Sequence, residues 1–312
     1  MQMDMLEMLK EMAKDLDKAD FDELYKFISE LELNHIFRYP LPVGTEIIRI
    51  RPSESEPFTH KSQISYNSAN PSDKYGRANN RKQPMFYGSI RPPGGFSPYA
   101  ASFAEMNHIL ANGNYKLQNN SIELTFGEWK VKESFYVIPI AFNNDFLKEN
   151  KEYRRIKQTL SDSNEVSNRE IEELEYISEE FAKSEIKSHL DYKITAAFAN
   201  YVIDKNRGIA EAITYPSVRS NGKGYNICLT PSFVDKYLEL TKVFTAMFYW
   251  KYDIGMLDST KSTDRINPDG SFKLKEIIKS GIMKNYTWYM NKIEEMKNKG
   301  IKEDEDYDLI KY

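Results

Sequence analysis

The sequence predicts an α+β protein, a mixed β core with helical additions at its N- and C-terminal ends. Three observations carry that expectation. Near the start, apolar residues recur three and four apart, the spacing of one helical face. The middle of the chain holds short apolar or alternating runs of strand length, bounded by Gly, Pro, Asn and Ser. Helix-stopping prolines at Tyr39–Pro42 and a turn at Asn267–Gly270 divide these sections from each other.

The first section, from residue 3 to residue 33, is expected to be helical. Met5, Met8, Leu9 and Met12 share a face. Asp20 with Glu23 has the spacing of a capping box, and Leu24, Phe27, Ile28 and Leu31 continue the apolar face behind it. Pro40 and Pro42 then favour extended chain. Glu46–Arg51 is expected to be a strand with Ile48 and Ile50 on one face and Ile47, Arg49 and Arg51 on the other. Residues 52–83 are polar and form a long loop, a length uncommon without a function. A short strand at Met85–Ser89 and a helix from about Pro98 to Leu110 follow.

Strands are expected over 122–126 and 129–140, with a turn at Gly127-Glu128. Residues 143–165 are polar and charged. Ser167 and Glu170 have capping-box spacing before a helix that turns Ile171, Leu174, Ile177 and Phe181 inward, and more helix runs from Ile194 to Ile203. Strands are expected at Ile209–Tyr215 and Tyr225–Leu229. Thr230 as N-cap and Pro231 at the first helical position open a helix over 232–240. Val243–Tyr252 is β-like. Helix is expected again over Asn285–Lys299, with Gly300 just beyond its end.

Composition bounds the function. The 312 residues suffice for one large domain or two modest ones. Forty-three basic and 47 acidic residues leave a net charge of −4, without the basic excess that non-specific nucleic-acid binding needs. The one cysteine, Cys228, excludes an internal disulfide framework and a Cys-based zinc site, and its apolar neighbours mark it as a buried strand residue. His35, His60, His108 and His189 lack the i, i+4 spacing of a histidine metal site, so no metal is expected. No apolar run approaches the roughly 20 residues of a membrane span. The N-terminus lacks the cationic start of a signal peptide, which leaves the cytoplasm as the expected location and no membrane partner.

Four segments have residue types suited to binding an anion or cleaving a bond. Arg49 and Arg51 offer planar, permanent cations to phosphate oxygens, or they line an exposed strand face. Gly76, Arg77 and Asn79 combine close backbone approach with a guanidinium, or they form a solvated loop. Glu105 lies among small apolar residues, where a carboxylate needs an arginine, a ligand or a structural salt bridge. Ser217 follows Pro216 at a strand end, the place of a site residue or of a turn serine.

In this order the segments resemble the RES family, named for its Arg, Glu and Ser. The likeness runs through Ile47–Arg51, Tyr75–Asn79, Pro84–Gly88, Phe103–Glu105 and Tyr215–Ser217. The family's Gly-Gly-Arg-Trp-Asn appears here as Tyr75-Gly76-Arg77-Ala78-Asn79, a departure at two positions. The resemblance implies a fold similar to ADP-ribosyltransferase toxins. It divides the chain into an N-terminal helical segment (1–40), a catalytic domain (41–252) with a central insertion at about 107–208, and a C-terminal helical extension (253–312). It implies NAD as a substrate, with no true cofactor, and breakage of the nicotinamide–ribose bond by a glycohydrolase or phosphorylase. It further implies a toxin of a bacterial toxin–antitoxin pair, with an antitoxin protein as partner. Arg49, Arg77, Glu105 and Ser217 match the catalytic positions. Arg51, Tyr75, Asn79 and Tyr87 are the candidate substrate-binding residues, the two tyrosines as rings to stack on nicotinamide. Three other readings stay open: an ADP-ribosyltransferase acting on a macromolecule, a module that binds a nucleotide without cleaving it, and a structural or interaction protein built on the terminal helices.

Overall fold

The computed structural model describes residues 4–53, 56–91, 95–111, 121–140, 145, 151–163, 165–251, 254–277 and 282–299. Its strands are β1 (Tyr39–Leu41), β2 (Glu46–Pro52), β3 (Phe86–Ile90), β4 (Ser121–Val131), β5 (Phe135–Pro139), β6 (Ala212–Pro216), β7 (Tyr225–Leu229), β8 (Leu238–Lys251), β9 (Ile254–Thr263) and β10 (Lys275–Glu276). They form one ten-stranded sheet in the order β1-β5-β6-β7-β3-β2-β4-β8-β9-β10. Every neighbouring pair is antiparallel except β5 with β6. The helices are α1 (Met5–Met12), α2 (Phe21–Ser29), α3 (Pro98–Ala111), α4 (Lys151–Ser161), α5 (Asn168–Ala182), α6 (Lys193–Lys205), α7 (Pro231–Tyr237) and α8 (Ile282–Asn298). The α+β expectation holds: a mixed sheet carries helices from both chain ends and from its centre.

Strand register divides the core between the two sheet faces. Ile48 lies opposite Ser89, Ser89 opposite Asn226, and Asn226 opposite Tyr215, so these four side chains share one face. On that face α3 packs over Ile48, Ile50, Leu124 and Phe126 through Met106 and Phe103. Farther along, α1, α2, α5 and α6 cover Ile138, Ile213, Tyr215 and Cys228. A polar strip lies between these two apolar clusters. The other face buries Ile47, Phe86, Ile90, Trp129, Tyr225, Ile227 and Leu229 under α7 and the loop carrying Phe58 and Ile64. Each such large side chain contributes roughly 1.5–3 kcal/mol when fully buried.

The N-terminal section is shorter in helix than its periodicity predicts. α1 ends at Met12, a single 3-10 turn follows, and α2 starts afresh after Asp20. Asp4 and Asp20 cap the two helices by accepting backbone N–H groups. Leu6 and Leu9 fill the core, while Met5 and Met12 pack at its edge. At α5 only half of the expected capping box forms. Ser167 accepts the Glu170 N–H, but the Glu170 carboxylate turns to the backbone and ring of His35. That contact ties the chain entering β1 to α5.

Several boundaries differ from expectation. Gly127-Glu128 is no turn. β4 runs straight through it, pairing Gly127 with Arg49 on one side and Val243 on the other. The glycine serves close packing instead, because a Cβ there would sit 2.9 Å from Ile64 and 3.0 Å from the Trp129 indole nitrogen. The helix after Pro231 stops at Tyr237, and Leu238 already begins β8. Thr230 gives no side-chain cap, because its hydroxyl donates to Glu211. The segment after residue 253 is not purely helical, since β9 and β10 extend the sheet before α8 begins. β9 is poor in apolar residues, and its ladder with β8 rather than an apolar alternation holds it. The segment 107–208 supplies β4, between β2 and β8, and β5, next to the edge strand β1. Gly300 lies outside the described residues. Among those residues no helix is long and apolar enough to cross a membrane.

Candidate active site

The sheet opens where β2 leaves β3. These strands pair through two couples alone, Ile47 with Ile90 and Ile48 with Ser89. Beyond them Arg49 and Arg51 pair with β4, while Phe86 to Gly88 pair with β7. The gap leads into a cavity of about 330 Å³, a size suited to a small ligand. Arg49, Arg51, Tyr87, Glu105, Tyr215 and Asn226 are among the residues that line it.

Strand alternation puts Arg49 on the face of Ile47, yet its guanidinium reaches the gap. Nη1 donates to the Tyr87 carbonyl at 2.5 Å, and Cζ lies 5.1 Å from the Phe86 ring centroid. Nε is buried without a hydrogen-bond partner. Burial first, and then the charge of Arg51, push the Arg49 guanidinium down to about 9. It is still a cation at neutral pH. Arg51 donates to the Gln63 carbonyl at 3.0 Å. Among the described residues neither arginine has a carboxylate partner. The cavity wall therefore carries two positive charges that no carboxylate among the described residues contacts.

Glu105 reaches the cavity from α3. Its Oε1 accepts from Ser217 Oγ at 2.7 Å and from Asn226 Nδ2 at 2.9 Å. Oε2 has no hydrogen bond among the described residues. The hydrogen-bond partners of this carboxylate are thus a hydroxyl and an amide, while the Arg219 guanidinium lies near enough for the two charges to attract. Ser217 is fully buried behind Glu105, where a tight turn fixes it: its N–H donates to Gly224 O, and its carbonyl accepts from Gly222 N and Ser220 Oγ. Gly224 lets α3 approach that turn, since a Cβ would come within 2.5 Å of Ala101 Cβ.

The loop ending in Asn79 stands one layer back. Tyr87 lines the cavity, while its hydroxyl donates to Asn79 Oδ1 at 2.6 Å and accepts from Ala78 N at 3.0 Å. Burial pushes the phenols of Tyr87 and Tyr215 up, so both stay neutral. Gly76 is needed here because a Cβ would lie 2.2 Å from Asn79 Oδ1 and 2.9 Å from the Tyr87 hydroxyl. Gly76→Ala is expected to cost about 1–3 kcal/mol of stability, read as a lower urea midpoint. An unchanged midpoint would mean that the loop does not depend on this approach.

Two expected site residues are turned elsewhere. Arg77 does not line the cavity. Its guanidinium donates to the carbonyls of Phe181 at 2.5 Å and Lys183 at 3.3 Å, and lies over the Tyr192 ring. The end of α5 leaves carbonyls without helical partners, and a cation satisfies them well. Tyr75 is not a stacking ring for a ligand. It is buried between Phe21 and His189, at centroid distances of 5.3 and 5.8 Å. The Cys228 thiol sits fully buried and is pushed up by that burial, as a structural cysteine should be. Sequence reasoning missed Asn226, Ser89 and Tyr215 as site residues. The available signal was an amide in second place in the strand Tyr225–Leu229, followed only by apolar side chains. No protein-family model matches the chain, and no curated protein matches it either.

Proposed function

We propose that this protein cleaves the nicotinamide–ribose bond of NAD, with an ADP-ribosyltransferase-like fold and the RES-type constellation that its motifs resemble. One observation carries the reading: a carboxylate with one oxygen doubly held and, among the described residues, no hydrogen bond on the other faces the same cavity as two guanidiniums that have no carboxylate partner among those residues. Those are the complements of a dinucleotide. The arginines suit its diphosphate. The free Glu105 oxygen suits the ribose hydroxyls and the positive sugar that develops as the bond breaks.

In this reaction the bond from ribose C1 to the nicotinamide nitrogen breaks. Its electron pair stays on nitrogen and neutralises the pyridinium charge. An oxygen of water or phosphate then bonds to C1, and with water a proton passes to solvent. Glu105 stabilises the sugar, Arg49 and Arg51 hold the diphosphate, Tyr87 offers its ring, and Ser217 orients Glu105. Arg77 and Asn79 support the loop behind Tyr87. The reading includes a role as the toxin of a bacterial toxin–antitoxin pair, with the antitoxin protein as partner.

The test is incubation with NAD, with and without phosphate, followed by mass spectrometry of the products. Nicotinamide with ADP-ribose is expected from water, and nicotinamide with a phosphorylated ADP-ribose from phosphate. NAD that remains intact under both conditions overturns the proposal.

A further inference from the structure

We infer that Asn226 is a positioning residue for Glu105, fixing the plane of the carboxylate so that Oε2 alone meets the ribose; this rests on the proposed NAD reading. Asn226 occupies β7, between β6 and β3 in the middle of the sheet, and is only 7% exposed. Its Nδ2 donates to Glu105 Oε1 at 2.9 Å, and its Oδ1 accepts from Ser89 Oγ at 3.0 Å. The directions follow from chemistry. A carboxylate oxygen only accepts, so the NH₂ end of the amide must face it. The carbonyl end then faces Ser89, whose hydroxyl must donate. A one-way chain results, from Ser89 through Asn226 to Glu105, and Ser217 meets it at the same oxygen.

Burying an amide in a strand is costly unless it is bonded, and the neighbours Ile227, Cys228 and Leu229 are all apolar and fully buried. An apolar side chain would serve the strand at least as well. What Asn226 adds is a second anchor. Ser217 alone fixes a distance and leaves the carboxylate free to turn about its last bond. Donors from two separate elements, β7 and the turn after β6, fix its plane as well. Preorganisation of this kind matters most where charge develops during the reaction.

The test compares Asn226→Ala, Asn226→Asp and Ser89→Ala with wild type in NAD turnover by the full chain, with circular dichroism to establish folding. Asn226→Ala is expected to lower kcat about 10- to 100-fold, the loss of one hydrogen bond to a charged group, with KM within about 2-fold. Asn226→Asp keeps the shape but sets a second carboxylate against Glu105. Two such groups at this distance share a proton, so the acid limb of its pH–rate profile moves to higher pH. Ser89→Ala leaves the amide in place and costs less than Asn226→Ala. In a Glu105→Gln background, Asn226→Ala adds nothing further, because the two act as a unit. Unchanged kcat in Asn226→Ala, multiplying losses in the double variant, or an unmoved acid limb in Asn226→Asp each overturns the inference while NAD cleavage stands. Should Asn226→Ala fail to fold, the isosteric Asn226→Asp decides by its pH profile. Absence of turnover in wild type overturns the NAD reading, and this inference with it.

Discussion

Glu105→Gln is expected to lower the rate of nicotinamide release by about 10²–10³-fold while leaving the fold intact, the loss seen when a preorganised group facing developing charge is removed. Glutamine has the shape of glutamate, and its carbonyl can still accept from Ser217 and Asn226. The substitution therefore keeps the two anchors and removes the charge. In place of the free Oε2 it presents an NH₂ group, which donates where the ribose hydroxyls need an acceptor and repels a positive sugar. Glu105→Asp tests the complementary property. It keeps the charge but is shorter by about one carbon–carbon bond, so it cannot hold both anchors and still reach the cavity. Its loss should fall mainly in kcat. Circular dichroism and a melting curve within a few degrees of wild type separate lost chemistry from lost structure. Glutamine at wild-type rate would remove Glu105 from the reaction and leave the cavity as a binding site only.

The placement of Glu105 was legible in the sequence because its local environment is simple. A carboxylate among Ala101, Ser102, Phe103 and Ala104 must find partners, whichever they are. Arg49 and Arg51 were legible as a pair on one strand, although alternation alone turns them away from Glu105. What brings Arg49 to the cavity is the early parting of β2 from β3, a property of two strands and not of one. Arg77 illustrates the converse. Its motif is intact in order, but the cation finds the carbonyls at the end of α5, a partner more than a hundred residues away that no local pattern reveals. Gly127 misled because a glycine that permits close packing and one that permits a turn look identical in sequence. Asn226 was hidden for a similar reason, since its neighbours read as core and its partners lie on β3 and α3.

Arg49→Met is expected to raise the KM for NAD by about 30-fold or more, the penalty for losing one member of a buried charge pair, and at the same time to raise the melting temperature of the free protein. The two effects share a cause. Without ligand, Arg49 carries a charge whose Nε is buried and unpartnered. Its value is lowered to about 9 from the ordinary 12.5, so the folded chain gives up this proton before the unfolded chain does as pH rises. Below about pH 9 both states keep the proton, and the buried charge opposes folding by a constant amount. Above it the unfolded chain binds more protons, and that opposition fades. Methionine removes the charge and fills similar space, and since Tyr87 lines the cavity, water can replace the donor to its carbonyl. A gain of about 1–2 kcal/mol, or about 2–6 °C, should follow. ADP or pyrophosphate should raise the melting temperature of wild type by supplying a counter-charge, and should raise that of Arg49→Met by less, since Arg51 alone remains to hold it. In wild type a KM that is flat from pH 6 to 8 is expected, because the guanidinium keeps its proton throughout that range. Equal ligand-induced shifts in the two proteins would show that the diphosphate is held elsewhere. A lower melting point in Arg49→Met would show that its contacts with Tyr87 and Phe86 outweigh the burial of its charge.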